Sequence, residues 1–480
     1  MPQQEGPGAR RTGLARVSWV YLGLVVVPAL LAVALLVGGD DDGGTVTATT
    51  SVAGHPLAQL LLAIAAVVAL CKAFGWLAHL IGQPPVIGEI AAGIVLGPSV
   101  LGALWPAGAA ALVPDSVVPQ LNALAQIGVV LFVFLTGLEL NLALLRGRGR
   151  LATVVSHVSI AVPFLLGVVL AVVAFTTFAP QGVGFLAFAL FFGVSMSVTA
   201  LPVLVRILKD VGLFRSEVGA VALTCAVVDD VTAWSLLALV VALATASSLS
   251  GVLVTLGLTA AFIALLLLVV KPVLARVISR TAPGRLRHTA PLALVAVLLC
   301  AMTTEWIGVH AMFGAFLFGV VFPRDNPVAT WLHEKAGGLT SALLLPLFFA
   351  YSGLRTDIGL LAGDAELWLW CGAILLVAVA GKLGGAALAA RTVGESWNRS
   401  LQLGALMNCR GLTELVVLNI GLDLGVLSPT LFTTLVLVAL VSTVMTAPLA
   451  ISLGRRDGQR VGMDLSDDSF VPDEQRTPAA

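Results

Sequence analysis

Charge is scarce in this sequence. Only 11% of its 480 residues are Asp, Glu, Lys or Arg, where a soluble domain carries about 25%. Lys plus Arg and Asp plus Glu both number 26, so the basic excess of a nucleic-acid-binding chain is missing. Too little charge and polarity are present for a disordered chain. Cysteine is equally sparse. Cys71, Cys225, Cys300, Cys371 and Cys409 all fall in apolar stretches, with no zinc-like spacing and no framework for outer-loop disulfides, so they read as small core residues. Gly-rich phosphate loops and nucleophile–base constellations are lacking too. The sequence therefore names no catalytic residue, implies no enzyme, and calls for no cofactor.

What it has is apolar length. Apolar residues make up 59% of the chain and mean hydropathy is +1.03. They fall in runs of about 18–25 residues, enough to cross roughly 30 Å of hydrocarbon. About fourteen crossings are expected, from 17–38 through 57–81 and 84–104 to 399–421 and 428–452. If the first runs outward, alternate loops carry Arg10, Arg11 and Arg16, then Arg146, Arg148 and Arg150, then Arg206, Lys209 and Arg215. The pattern continues with Lys271, Arg276, Arg280, Arg285 and Arg287, then Arg324 and Lys335, Arg391 and Arg399, and Arg455 and Arg456. The intervening loops hold almost no cations, Arg355 excepted. Cationic loops face the cytoplasm, so both termini are expected there, in a multi-pass protein of the plasma or inner membrane.

Residues 1–56 are expected to form an N-terminal helix and an outer linker. The run 17–38 follows three arginines, as a signal peptide does, but is long and lacks a small-x-small cleavage pattern, which favours a retained anchor. Residues 57–452 form the transmembrane unit, with about 13 core helices. Residues 453–480, polar and acidic, are expected to be a disordered cytoplasmic tail.

Two halves of that unit, about 84–246 and 309–452, echo one another. Ile87–Pro98 matches Phe313–Pro323, with Gly88 and Gly93 opposite Gly314 and Gly319. Leu131–Glu139 matches Leu347–Arg355, with Gly137 opposite Gly353. In the charge-derived topology the members of each pair cross in opposite senses. Inverted repeats are a signature of secondary transporters, whose site lies where corresponding helices are interrupted. The interruptions are Ser195–Pro202, where Pro202 removes a helical donor, and Met407–Glu414, where Asn408, Arg410, Gly411 and Glu414 break an apolar span.

Ionisable residues sit at membrane depth. Asp229 and Asp230 lie near the middle of 217–246, Lys382 lies among Gly381, Gly384 and Gly385, and Arg410 lies in the second interruption. Each ion at a helix centre costs about 2.5–3.5 kcal/mol, so these four cost on the order of 10–14 kcal/mol unless paired. That rivals the whole stability of a domain, about 5–15 kcal/mol. Adjacent helical residues point about 100° apart, so the two aspartates cannot share one partner. One can meet a cation on a neighbouring helix while the other faces a hydrated cavity. Crowding and desolvation both oppose a second negative charge, and a carboxylate so placed holds a proton or a metal cation, one at a time. Glu89, Glu139 and Glu305 read as capped or solvated groups near helix ends, and Lys72 as a snorkelling or paired lysine.

At these residues the sequence resembles the sodium/hydrogen exchanger superfamily, and most of all the monovalent cation:proton antiporter-2 family. The resemblance rests on Gln83–Ile90 with Gly93, Gly97 and Pro98, on Thr136–Glu139, on Ser197–Leu204 and on Val228–Trp234. In the second half it rests on Leu345–Phe349, Ser352–Arg355, Gly381-Lys382, Leu406–Asn408 and Gly411–Gly421. It implies an all-α, inverted-repeat antiporter with two crossed, discontinuous helices, working as a homodimer with a dimerisation panel and a mobile core. It further implies that Asp230 binds the transported Na⁺ or K⁺ and the proton, with Asp229 as its partner, salt-bridged to Lys382, and Thr199 near the ion. Arg410 would stabilise the core, and Ser197 and Glu414 are weaker candidates. Relatives often carry Asn where Asp229 stands, and in the wider superfamily the Asp-Asp form goes with electrogenic exchange. No nucleotide-binding regulatory domain is expected in this chain. Two other readings are open on residues alone: a cation-coupled symporter of an organic anion, and a non-transporting membrane sensor whose ion pair is a lock.

Overall fold

In a computed structural model the described residues are 55–139, 149–245, 249–279, 286–324 and 326–456. The expected helix at 17–38, its linker and nearly all of the tail lie outside them. Among the described residues there are helices and no strands. In chain order they are α1 (Pro56–Leu80), α2 (Pro85–Leu96), α3 (Val118–Glu139), α4 (Gly149–Phe178), α5 (Phe185–Ser197), α6 (Leu201–Asp210) and α7 (Glu217–Thr245). They continue as α8 (249–279), α9 (Leu286–Ile307), α10 (Ala311–Val321), α11 (327–354), α12 (365–392), α13 (Trp397–Met407), α14 (Leu412–Asp423) and α15 (Pro429–Arg456). Two short helices, Leu101–Leu104 and Pro106–Leu112, lie between α2 and α3.

The starts of these helices are written locally. Proline opens α1, α2 and α15, where its missing N–H has no helical partner to lose. Asn326 Oδ1 accepts from Val328 N and Ala329 N at 2.9 Å to begin α11, Asp364 accepts from Glu366 N and Leu367 N to begin α12, and Ser396 accepts from Arg399 N to begin α13. Among the described residues three long helices carry a π-turn: Leu266–Val270 in α8, Thr340–Leu344 in α11 and Ala380–Gly384 in α12.

Among the described residues eleven spans are long and apolar enough to cross a membrane, one of them, Phe185–Asp210, made of α5 and α6 together; α13 and α14 form a further span bent by 44°, and α10 is a shorter apolar helix. α8 leaves most of its surface uncovered within the chain, as a helix facing lipid does.

The packing repeats in the two halves. α1 lies on α2 as α9 lies on α10, and α2 lies on the end of α11 as α10 lies on α3. The glycines that echo in sequence make these contacts. A Cβ on Gly93 would stand 2.2 Å from Ala350 O, and one on Gly319 would stand 2.2 Å from Phe134 O. Reciprocally, Gly353 abuts Ile90 O and Gly137 abuts Phe316 O. Close backbone approach through small residues is how apolar helices associate in lipid, where water provides no drive. The single helix α8 lies between a half built from α1–α7 and one built from α9–α15, so matching helices run in opposite senses. The fold is the inverted repeat.

Arg355, the cation that departs from the expected loop pattern, is paired by the tertiary structure. Its Nη1 lies 2.7 Å from Asp423 Oδ1 and donates to Asn419 Oδ1 at 3.1 Å, tying the end of α11 to α14.

Gly93→Val and Gly319→Val should each destabilise the protein by about 1–3 kcal/mol or more through overpacking. Gly338→Ala in α11, where an added methyl meets nothing within 4 Å, should not. Thermal melts of the detergent-solubilised variants would separate the two groups.

Candidate functional site

Both interruptions become gaps in helices, and the gaps cross. α5 stops at Ser197 and α6 begins at Leu201; α13 stops at Met407 and α14 begins at Leu412. Ala200 N donates to Cys409 O at 3.1 Å, and Thr199 Oγ1 lies 3.2 Å from Met407 O. Gly411 fits here because its φ is +158° and a Cβ on it would come within 2.7 Å of Val203 Cγ2 in α6. Thr443 of α15 pins the second gap, accepting from Arg410 N at 3.0 Å and donating to Arg410 O at 2.8 Å.

A helix that stops in mid-membrane leaves carbonyls without partners and a negative end. Two cations take up those of α5. Arg410 donates through Nη1 to Ser195 O at 2.8 Å and through Nη2 to Met196 O at 2.7 Å. Lys382 Nζ donates to Ser197 O. Arg410 is in turn paired with Glu414 Oε1 at 2.7 Å, and both side chains are fully buried.

The aspartate doublet on α7 is split between two environments. Asp229 Oδ2 accepts from Thr199 Oγ1 at 2.6 Å and from Lys382 Nζ at 3.1 Å, and Ser159 Oγ lies 3.2 Å from both of its oxygens. Lys382 stands on the π-turn of α12 and donates also to Ser159 O at 2.9 Å. Such turns are frequent at functional sites because they re-aim a side chain within a continuing helix. Asp230 points elsewhere. Its Oδ1 lies 3.5 Å from Thr413 Oγ1, and no cation stands within ion-pair distance of it among the described residues. It borders a small cavity with Pro202, Leu412, Thr413 and Trp234, closed on the far side by Phe132, Val133 and Thr136 of α3. Pro202, Leu412 and Thr413 belong to the first turns of α6 and α14, so two helix N-termini, positive ends both, converge beside the Asp230 carboxylate. Asp229 and Asp230 are each 1% exposed. The cavity beside Asp230 is small, and both carboxylates are buried in this conformation.

The structure thus gathers Asp229, Thr199 and Lys382 at one point, sets Asp230 beside them facing α3, and gives Arg410 and Glu414 a separate pair at the crossover. Ser197 joins through its backbone carbonyl; its hydroxyl donates to Val194 O within α5. Sequence reasoning missed Ser159 and Thr413. A signal for the first existed in Ser156 and Ser159, two hydroxyls one turn apart inside an apolar span. Thr413 lay within the second interruption, but its neighbour Glu414 drew the attention. The remaining acids are occupied elsewhere: Glu89 lies 3.9 Å from Lys72, Glu139 lies 3.1 Å from His333, and Glu305 accepts from Ala311 N to begin α10. No group of three or more His, Cys, Asp or Glu side chains gathers as for a resident metal among the described residues.

An inverted repeat with two crossed, broken helices around buried carboxylates defines a secondary transporter. The family model for the sodium/hydrogen exchanger, transmembrane, matches residues 22–451. The chain belongs to the sodium/hydrogen exchanger family of monovalent cation:proton antiporters. It is 41% identical over 393 residues to the Na(+)/H(+) antiporter NhaS4 of Synechocystis sp., covering 81% of this chain and 96% of that one. It is 38% identical to cation/H(+) antiporter 17 of Arabidopsis thaliana, across 83% of this chain and 49% of the relative. To the K(+)/H(+) antiporter 1 of Saccharomyces cerevisiae it is 36% identical, across 76% of this chain and 43% of the relative. It thus spans about half the length of the plant and yeast proteins. In fold it is similar to the sodium proton antiporter MjNhaP1 of Methanocaldococcus jannaschii, with a TM-score of 0.63 at 15% identity over 84% of this chain and 99% of that one.

Arg410→Met would strand Glu414 as a buried, unpaired charge and free two carbonyls, at a cost of about 3–5 kcal/mol. Adding Glu414→Gln should recover part of that loss but not all of it, since Ser195 O and Met196 O stay unpartnered. Melting temperatures of the single and double variants would show the difference.

Proposed function

We propose that this chain exchanges Na⁺ or K⁺ for protons at Asp230 by alternating access. The observation that carries the reading is the division of the doublet. Asp229 is spoken for by Lys382, Thr199 and Ser159, while among the described residues Asp230 meets the distant Thr413 hydroxyl, the Leu201 backbone N–H and helix N-termini, none of which supplies a full charge. A carboxylate so placed is held ready for an exchangeable partner. A proton or an alkali cation satisfies it equally in charge, and each excludes the other. Exchange is the consequence of that exclusion, and neither a cofactor nor an enzymatic step is needed.

Movement is supported by how the helices group. α4–α7 pack with α12–α15 around the crossover, whereas α1, α2, α3, α10 and α11 pack with one another. Phe132, Val133 and Thr136 of α3 then cover Asp230 from the second group. In the elevator reading the first bundle carries Asp230 past α3 to reach either aqueous face, and the second group is the panel of a homodimer. The protein works in the plasma or inner membrane with both termini cytoplasmic. Asp229 gives the carrier a second acidic group, which favours moving more than one proton per cation. The membrane potential then contributes about 2.3 kcal/mol per net charge per 100 mV.

Purified protein in proteoliposomes with a trapped pH dye should show alkali-cation-driven pH changes. Asp230→Asn should abolish them, and undiminished exchange in that variant would remove Asp230 from the role. Asp229→Asn should retain exchange while its dependence on an imposed membrane potential weakens. A potential dependence identical to that of the unaltered protein would sink the multi-proton reading.

A further inference from the structure

Pro163 in α4 and Pro448 in α15 stand inside long helices of the bundle that holds the crossover. A proline has no N–H to give to the carbonyl four residues back, so Ser159 O and Val444 O each lose their helical donor. Each is taken up by a side chain from elsewhere in the fold. Lys382 Nζ donates to Ser159 O at 2.9 Å, a bond within the bundle. Gln83 Nε2 donates to Val444 O at 3.3 Å. That second bond passes between the two groups of helices, because Gln83 stands in the turn from α1 to α2 and Val444 on α15.

The place of this bond matters. Val444 follows Thr443, whose hydroxyl pins Arg410 in the second gap, so the contact lies at the level of the crossover itself. The turn around Gln83 is seated there: Gln83 is 7% exposed, and Val86 on the first turn of α2 packs against an apolar cluster drawn from α4, α6, α7, α12, α13 and α15. Further ties between the groups lie at the other end of α2, where Gly97 abuts Leu354. Arg355 meets Asp423 and Asn419 there, Asn419 Nδ2 donates to Ser352 Oγ at 2.8 Å, and Asp357 N donates to Thr433 Oγ1 at 3.1 Å. The Arg355 and Asp423 side chains are 21% and 43% exposed, so water replaces each partner as that pair opens and little is lost. The Gln83 bond is shielded from water and is the costlier one to break.

We propose that Gln83 and the Val444 carbonyl freed by Pro448 form a latch that holds the crossover bundle at its present height against α1 and α2, and that its release limits turnover. The inference rests on the exchange reading above. A slide of the bundle by one helical turn, roughly 5.4 Å, carries Val444 O out of reach of the amide, since hydrogen bonds act over about 3 Å. The latch is also releasable. Gln83 Oε1 is buried and meets no donor among the described residues, so the amide is held from one side only, and the unmet oxygen offsets part of what the bond contributes.

The test is proteoliposome exchange in Gln83→Met, which keeps the side chain's length and removes its donor. Turnover should rise about three- to tenfold, the worth of one neutral hydrogen bond, while the cation KM stays within about twofold because neither partner touches Asp230. Pro448→Ala returns an N–H to Val444 O and should raise turnover by the same factor with Gln83 in place. The double variant should be no faster than either single one, since both remove the same bond. Unchanged turnover in folded Gln83→Met protein overturns the inference, and so do effects that multiply in the double variant. If Gln83→Met does not fold, Pro448→Ala gives the turnover readout alone. Movement is checked directly by joining Gln83→Cys to Val444→Cys with a short bifunctional thiol reagent. The joined protein should stop exchanging, while either single variant treated alike should not, and exchange that continues in the joined protein overturns the latch. Absence of exchange in the unaltered protein would instead overturn the antiport reading itself.

Discussion

A helix cut in the middle of a membrane exposes carbonyls that neither lipid nor water can satisfy. The end of α5 presents three, on Ser195, Met196 and Ser197, and two buried cations absorb them. Once Arg410 and Lys382 are committed to that task their charges need balancing, and Glu414 and Asp229 supply it. The broken helix is thus the cause and the two ion pairs are its consequence. In a medium where each unsatisfied group costs several kcal/mol, the crossover, the lysine on its π-turn and one of the two aspartates stand or fall together.

That arrangement leaves Asp230 over. It shares the helix of Asp229 but turns away by the angle between successive helical residues, into a space bounded by the first turns of α6 and α14. Those N-termini favour negative charge without neutralising it. The structural ion pair and the carboxylate proposed for transport are adjacent but not the same, and the division follows from helix geometry. A doublet serves both needs where one aspartate would have to choose.

The scaffold solves a different problem, which is holding apolar helices together where burial of apolar surface offers no gain. Gly93 against Ala350 and Gly319 against Phe134 bring backbones into direct contact at equivalent places in both halves. These contacts lie in α2, α3, α10 and α11, outside the bundle that contains the crossover.

Much of this was legible in the chain itself. Apolar runs gave the helices, and the Gly88, Gly93 and Gly137 echoes gave the repeat, because each depends on local spacing or on composition along one line. The ionisable residues at membrane depth were legible for the same reason: their cost is fixed by the depth at which they sit. Their pairing was not. That Arg410 would serve α5 and Glu414, that Ser159 would stand between Asp229 and Lys382, and that Thr413 would be the hydroxyl nearest Asp230 depend on which faces of distant helices meet. Arg355 makes the same point, a cation that broke the charge pattern in one dimension and found Asp423 in three. Sequence determined which residues lipid would not tolerate alone; only the tertiary structure decided with whom each would be paired, because hydrogen bonds act over about 3 Å and the partners lie up to hundreds of residues apart along the chain.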